Sequence, residues 1–175
     1  HILDASNLEN VQTLSPLDGP VERIAVAPDG LSFATVDSTR ATTIFKYMVD
    51  PEALVGVALD EVQNAPETKC WVLVGSYRAH YKPVSGLVWG PPAIAGDTPR
   101  LWSVGQDGFL VEYDIDGSSV EGGVQLKKRE RILRSPIPSA AGLLPAYGGA
   151  YLKEDVLVLC DDQYKMKVQQ VPDGS

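Results

Sequence analysis

The sequence predicts an all-β fold, a partial β-propeller of about three four-stranded blades. Alternating apolar segments separated by turn residues run along most of the 175-residue chain, and one register of apolar and polar positions recurs three times. A unit of short strands that repeats along a chain is typical of propellers, in which each unit forms one blade. The repeats predict blades at roughly residues 21–79, 80–134 and 135–175.

The first predicted blade is a meander. Its segments alternate or are rich in β-branched and aromatic residues, and the run Pro-Asp-Gly at residues 28–30 supplies a turn. One more short strand precedes it. The predicted strands are Val11–Leu14, Val21–Ala27, Leu31–Val36 and Ala41–Met48.

An insertion follows at residues 49–69. Asp50 can cap a helix whose first position is Pro51, and apolar residues then recur at helical spacing. Gly56 and several valines disfavour a helix, so the segment is either a short helix or an ordered loop. Strand character resumes at Cys70–Val74.

The central blade has the clearest pattern. Val84–Trp89 is a short strand, Pro91–Pro99 is an extended loop, and the run from Leu101 to Asp114 contains two alternating apolar segments joined by Gln-Asp-Gly. Because Asp-Gly supplies the positive-φ positions of a tight turn, this run predicts a β-hairpin.

A cluster of cations lies in the next segment, Val124–Leu133. It is either the solvated face of an outer strand or short helix, or a docking site for an acidic partner. The candidate contacts are Lys127, Lys128, Arg129 and Arg131.

The last blade is less regular. The Pro-, Gly- and Ala-rich run from Ser135 predicts a loop and a short inner strand, and Val156–Cys160 with Tyr164–Val171 predicts a hairpin.

The three copies align at constant spacing. Aligned with the first copy, Leu101, Ser103, Asp107 and Tyr113 of the central hairpin fall on Phe33, Thr35, Thr39 and Phe45. Aligned with the third copy, Asp107, Phe109, Val111 and Tyr113 fall on Asp162, Tyr164, Met166 and Val168.

Composition excludes several functions. The formal net charge of −8 argues against general binding to nucleic acid or to an anionic membrane, and no apolar run is long enough to span a bilayer. The histidines are His1 and His80, and no cysteine pair has ligand spacing, so neither a metal nor a cofactor is expected. Cys70 and Cys160 lie in apolar strands, which favours buried reduced thiols over a disulfide or a reactive thiol.

The central copy resembles a blade of the WD-repeat family. His80 precedes the first strand, Ser103 lies on the second, Asp107 lies in the turn, and Tyr113 with Asp114 stands where that family has Trp-Asp. The resemblance implies a structural hydrogen-bond network in which Asp107 fixes His80, His80 bonds Ser103, and Ser103 reaches Tyr113. The first copy departs from the pattern with Thr39 at the turn, and the third has Val168 at the aromatic position; neither has the histidine.

A closer resemblance covers roughly Tyr77 to Val168. The runs YRAHYKPVSGL, PRLWSVGQDGFLVEYDI and LCDDQYKMKV resemble the second propeller of axonemal WD-repeat proteins of the calmodulin- and spoke-associated complex, at the base of a radial spoke in motile cilia and flagella. The resemblance implies a non-enzymatic scaffold whose partners are other spoke subunits, calmodulin and the doublet microtubule. The family's calcium-binding region has no counterpart here, since no EF-hand loop occurs.

Three alternatives stay open. The same propeller could serve another cytoplasmic complex, in trafficking or ubiquitin ligation, which composition does not distinguish from the axoneme. Ser103, His80 and Asp107 could be catalytic, but no nucleophile elbow or oxyanion-hole loop accompanies them. A propeller hydrolase would need convergent acids on the inner strands, which instead carry Glu22, Arg23 and Ser85.

Because three blades do not close a propeller and the chain opens with His1, we expect a piece of a longer polypeptide.

Overall fold

The computed structural model describes residues 1–14, 17–49, 69–92, 97–132, 138–144 and 156–170. Every helix or strand assigned among these residues is a strand, which confirms the all-β prediction. The strands are β1 (Ile2–Leu3), β2 (Asn10–Gln12), β3 (Val21–Val26), β4 (Ser32–Asp37), β5 (Thr42–Val49), β6 (Lys69–Tyr77), β7 (Val84–Gly90), β8 (Arg100–Gly105), β9 (Phe109–Ser119), β10 (Gly123–Arg131), β11 (Pro138–Leu144), β12 (Val156–Asp161) and β13 (Met166–Gln170).

The strands form antiparallel meanders, as blades of a propeller require. Sheet I is β3-β4-β5-β6, sheet II is β7-β8-β9-β10 and sheet III is β11-β12-β13, while β1 pairs with β2 in a separate hairpin. Sheets I and II have the four strands of a complete blade, and the described part of sheet III has three. The predicted partial propeller of WD-repeat type is confirmed.

The sheets stack face to face, with sheet II in the middle. Because successive side chains of a strand point to opposite faces, Leu101 and Trp102 enter different cores. Leu101 packs with Ile44 of sheet I in one apolar cluster, and Trp102 packs with Leu157 of sheet III in another. Both faces of sheet II are therefore buried, which explains its nearly continuous apolar strands.

Polar side chains on β3 and β7, the first strands of sheets I and II, connect neighbouring sheets. Arg23 Nε donates to the carbonyl of Val84 over 2.8 Å, joining sheets I and II. Ser85 Oγ donates to the carbonyl of Pro138 over 2.5 Å, joining sheets II and III. Two of the polar inner-strand residues thus bond backbone of the neighbouring sheet.

The hairpin turns fix the true register of the repeats. The β4–β5, β8–β9 and β12–β13 turns each place one residue in the left-handed region, namely Arg40 (φ 72°), Gly108 (φ 80°) and Tyr164 (φ 61°). The predicted alignment of the first two copies places Gly108 on Arg40, as the turns do. The predicted alignment of the last two copies places Gly108 on Gln163, whereas the turn places it on Tyr164, the next residue.

Strand pairing gives the same correction for sheet III. The pair Val104–Leu110 of sheet II corresponds to Cys160–Met166. The expected equivalence of Asp107 with Asp162 and of Tyr113 with Val168 is therefore wrong, since the matching positions are Gln163 and Gln169. A slip of one residue exchanges the two faces of a strand, so alternation alone does not set the register.

Other expectations are met in part. The strand predicted at Val11–Leu14 is β2, Asn10–Gln12. Residues 50–68 of the predicted insertion lie outside the described residues. The flanking residues Val49 and Lys69 are opposite each other in the β5–β6 ladder. Cys70 and Cys160 are not joined in a disulfide and are only partly buried, so their expected burial is wrong. The described part of the chain holds no helix that could cross a membrane.

Candidate functional site

Four predicted residues meet at one end of sheet II. His80 lies in the connection between β6 and β7, Ser103 on β8, Asp107 in the β8–β9 turn and Tyr113 on β9. Ser103 pairs with Val111 across the ladder, so Ser103 and Tyr113 share one face of the sheet. Gly108, at φ 80°, closes the turn and sets the position of Asp107.

Hydrogen bonds connect these four side chains in sequence. His80 Nδ1 lies 3.0 Å from Asp107 Oδ1, and His80 Nε2 lies 2.8 Å from Ser103 Oγ. Ser103 Oγ lies 3.0 Å from the hydroxyl of Tyr113. Asp107 also accepts the backbone N–H groups of Tyr81 at 3.1 Å and Phe109 at 3.2 Å. The carboxylate thus joins the loop before β7 to the turn before β9.

Burial sets the protonation of this network. Desolvation lowers the pKa of His80, although the hydrogen bond and charge of Asp107 raise it. The neutral ring has one N–H, and because the Asp107 carboxylate can only accept, that proton lies on Nδ1. Nε2 then accepts the single Ser103 hydroxyl proton, which leaves Ser103 Oγ as an acceptor towards the Tyr113 hydroxyl. Desolvation also raises the pKa of Tyr113 to about 12.

The network continues into sheet I, which the sequence did not predict. The Tyr113 hydroxyl lies 2.8 Å from Thr42 Oγ1 on β5, within hydrogen-bond distance. A buried tyrosine hydroxyl generally needs a hydrogen-bond partner, so the sequence indicates that Tyr113 has a further partner. Its spacing of 71 residues gives no hint of which residue that partner is.

Gly105 is a second residue that the sequence reasoning missed. A Cβ atom at this position would lie 2.3 Å from His80 Nδ1 and 2.5 Å from Asp107 Oδ1. Such distances are well below van der Waals contact, so the histidine and the aspartate occupy the space of a side chain at the end of β8. The matching residues of sheets I and III are aspartates, Asp37 and Asp161.

These two aspartates hold their own turns directly. Asp37 Oδ1 accepts the backbone N–H groups of Thr39 at 2.9 Å and Ala41 at 3.2 Å. Asp161 Oδ1 accepts those of Gln163 at 3.0 Å and Lys165 at 2.9 Å. An aspartate two residues before such a turn is an Asx-type signal. Sheet II uses His80 and Asp107 in place of this arrangement.

The order of contacts resembles that of a catalytic triad, but the exposure does not. Ser103 is 0% exposed, His80 2% and Asp107 5%. Ser103 is also engaged by both His80 and Tyr113. A substrate carbonyl therefore has no approach to the serine oxygen, and the chemistry available to this group is hydrogen bonding within the fold.

Lys46 forms another link between sheets I and II. Its Nζ donates to the carbonyls of Ile115 at 2.6 Å and Ser118 at 3.2 Å. Desolvation lowers the pKa of Lys46, while the charges of Asp116 and Asp114 raise it. The cation thus caps backbone carbonyls of β9 instead of lying free in solvent.

The cations predicted for partner contact divide into two pairs on β10. The lysines lie near carboxylates of their own chain: Lys127 Nζ is 3.9 Å from Glu112 Oε1, and Lys128 Nζ is 3.1 Å from Glu130 Oε2. Their charges are therefore partly compensated within sheet II.

The arginines of the same cluster stack on an aromatic ring. The guanidinium carbons of Arg129 and Arg131 lie 4.0 and 4.7 Å from the ring centre of Phe109. Within the described ranges, no carboxylate lies within ion-pair distance of either arginine. The sequence could not distinguish these arginines from the neighbouring lysines.

One face of sheet I is apolar and only partly covered. Ile24 is 66% exposed and Val26 62%. Together with Phe33, Trp71 and the buried Phe45 they line a groove of about 500 Å³, which Ile2 and Leu14 of the N-terminal segment also line. The facing pair Phe33–Phe45 corresponds to the pair Leu101–Tyr113 of sheet II, which sheet I covers.

Thr35, the residue of sheet I that is equivalent to Ser103, lies on this partly covered face. Thr35 is buried, and its Oγ1 has no hydrogen-bond partner among the described residues. Phe45, which replaces the tyrosine of sheet II, has no hydroxyl to offer it. The same described ranges contain no cluster of three or more His, Cys, Asp or Glu residues suited to a metal ion.

Comparison with known proteins gives two relatives and a fold. No family model matches the chain. The chain is 31% identical over 126 residues, 72% of its length, to Cilia- and flagella-associated protein 251 of Chlamydomonas reinhardtii. It is 26% identical over 171 residues, 96% of its length, to the Mus musculus protein of that name. It spans 13% and 12% of these two relatives.

A solved structure supports the architecture. The β-propeller domain of Myceliophteria thermophila Cps50 (Swd1) superposes with a TM-score of 0.61 at 10% identity. The match covers 97% of this chain and 46% of that domain. At this identity the likeness shows the propeller fold alone.

Proposed function

We propose that the chain is part of a non-enzymatic WD-repeat propeller that serves as a scaffold in a cilium or flagellum. The observation that carries this proposal is the 31% identity over 126 residues with Cilia- and flagella-associated protein 251. The polar network adds physical support, because its serine, histidine and aspartate are buried and bond one another.

Within the cilium, the proposed role of the protein is that of a structural subunit at the base of an axonemal radial spoke. The runs YRAHYKPVSGL and PRLWSVGQDGFLVEYDI support it through their resemblance to the calmodulin- and spoke-associated complex. The partners would be other subunits of that complex, radial-spoke proteins and the doublet microtubule. Neither nucleic acid nor a membrane is a proposed partner of a chain with a net charge of −8.

The partly covered apolar face of sheet I supports a larger propeller. Phe33 and Phe45 stand where sheet II has residues covered by a neighbouring sheet, and the curated relatives are several times longer than this chain. We assign this face to packing against a further blade, and the three blades at roughly residues 21–79, 80–134 and 135–175 to one ring.

Fractionation of cilia tests the proposal. The full-length protein, tagged with a fluorescent protein and expressed in a ciliated cell, is expected along the cilium and in the pellet after detergent extraction. Chemical cross-linking of that pellet is expected to join it to radial-spoke subunits. The fluorescent protein alone is the control. Retention in the cell body, joined to trafficking or ubiquitin-ligase subunits, would instead favour another cytoplasmic complex.

A further inference from the structure

We propose that the end of sheets I and II around Arg129 and Arg131 binds a carboxylate-rich peptide segment of a partner protein. The inference rests on the proposed scaffold function and names the chemistry of one partner. It depends on three features of this surface: two arginines held on one ring, an exposed aromatic rim, and an excess of positive charge.

The two arginines form a paired anion-binding unit. They alternate along β10, so both side chains lie on the face of Phe109, whose ring they contact at 4.0 and 4.7 Å. Stacking on an aromatic ring restrains a guanidinium before a ligand arrives, which reduces the conformational entropy lost on binding. Guanidinium groups bind carboxylates through paired N–H donors.

Neighbouring residues extend this unit across both sheets. The ring of Tyr81 lies edge-on to Phe109, with 6.5 Å between ring centres, and Tyr81 is 51% exposed. Arg40 Nη1, from the β4–β5 turn of sheet I, donates to the carbonyl of Tyr81 over 2.7 Å. Arg40, Tyr81, Phe109 and the two arginines thus form one continuous surface.

The charge of this surface is opposite to that of the whole chain. Arg78 and Lys82, both exposed, lie in the same β6–β7 connection as Tyr81. The nearby carboxylates are engaged internally: Asp107 is buried against His80, and Glu130 is paired with Lys128.

The excess of cations has a consequence for partner choice. In a chain with a net charge of −8, the local excess of cations favours an acidic segment at this end.

Fluorescence anisotropy tests the proposal with a fluorescein-labelled decaglutamate peptide and the purified full-length protein. At physiological ionic strength the Debye length is about 8 Å, which limits effects of distant charge. We expect the double variant R129Q/R131Q to lose about tenfold or more in affinity. The matched control K127Q/K128Q removes the same charge from the same strand, and we expect less than about a twofold change.

Two further comparisons sharpen the result. R129K/R131K keeps the charge but loses the planar donors, so an intermediate affinity is expected. Equal losses in the arginine and lysine pairs, or no loss in either, would overturn the proposal. A single-stranded decanucleotide that binds as tightly, with the same dependence on Arg129 and Arg131, would overturn it as well. Unchanged melting temperatures establish that each variant is folded.

The outcome is separable from that of the scaffold proposal. If the protein stays with extracted cilia but binds no decaglutamate, the acidic-peptide site is wrong and the scaffold stands. If the peptide binds through the arginines but the protein is absent from cilia, the ciliary role is wrong and the peptide site stands.

Discussion

The hydroxyl of Tyr113 is hydrogen-bonded to Oγ1 of Thr42 over 2.8 Å and so joins sheet II to sheet I. Tyr113 is 2% exposed and Thr42 0%, so water cannot replace either partner. On its other side Tyr113 contacts Ser103, which contacts His80. A tyrosine at this position therefore connects the internal network of one blade to the next blade.

Removal of the Tyr113 hydroxyl is expected to destabilise the protein. Tyr113→Phe keeps the ring but removes a hydrogen-bond partner from both Thr42 and Ser103, at a cost of about 1–3 kcal/mol in the free energy of unfolding. Thr42→Val should act in the same direction. In urea denaturation, the double variant is expected to lose less than the sum of the single losses, by about 0.5 kcal/mol or more.

Tyr164→Phe is the matched control for that experiment. Tyr164 is fully exposed, at 101%, and is expected to change the free energy of unfolding by less than about 0.5 kcal/mol. If Tyr113→Phe is as mild as Tyr164→Phe, or the two single losses add fully, Tyr113 does not couple the sheets.

His80→Ala should remove the centre of the same network. The change removes one hydrogen-bond partner from each of Asp107 and Ser103 and opens a cavity, so a loss of about 2–4 kcal/mol is expected. Thermal unfolding followed by circular dichroism measures it. His1, an exposed residue whose Nδ1 lies 3.0 Å from Thr13 Oγ1, provides the control His1→Ala. An unchanged melting temperature for His80→Ala would rule out a structural role for the histidine.

Local patterns predicted much of sheet II. Alternation placed its strands, Asp-Gly placed its turn, and the resemblance to a WD-repeat blade brought His80, Ser103, Asp107 and Tyr113 into one group. Each of these signals acts within one sheet, where strand pairing converts sequence spacing directly into distance. The predicted alignment of sheets I and II agrees with the positive-φ residues of their turns, Arg40 and Gly108.

Local sequence patterns could not predict contacts between sheets. The pairing of Thr42 with Tyr113 depends on how two sheets stack, and the chain separation of 71 residues has no periodicity to read. The division of the β10 cations into compensated lysines and stacked arginines depends on the strand pairing that sets Arg131 opposite Phe109. The register of sheet III was missed because Asp161, not Asp162, holds its turn.

A methyl group at Gly105 is expected to disrupt the network without removing any member of it. In Gly105→Ala the added Cβ would lie 2.3 Å from His80 Nδ1, so the histidine or the backbone has to move. Overpacking of this kind costs about 1–3 kcal/mol, measured by urea denaturation. Gly142→Ala is the control, since a Cβ there would meet no atom within 4 Å. Equal stability of the two variants would show that the site accommodates a side chain.

The stability of the protein should fall in acid because of His80. Desolvation lowers its pKa below the ordinary 6.5, outweighing Asp107, which raises it, and Arg129 lowers it further. Below that ordinary pKa the unfolded chain binds a proton that the folded protein does not yet bind. The free energy of unfolding therefore decreases as the pH falls from 6.5 towards the folded-state pKa, by up to about 1.4 kcal/mol per pH unit.

Urea denaturation of the native protein and of His80→Asn, from about pH 7.5 to about pH 5, isolates this contribution. The stability advantage of the native protein is expected to shrink with falling pH, because the variant lacks the titrating ring. His1→Gln should follow the native protein, since His1 is exposed. A constant difference across this range would mean that His80 has the same pKa in the folded and unfolded chains, and that its burial does not control its protonation.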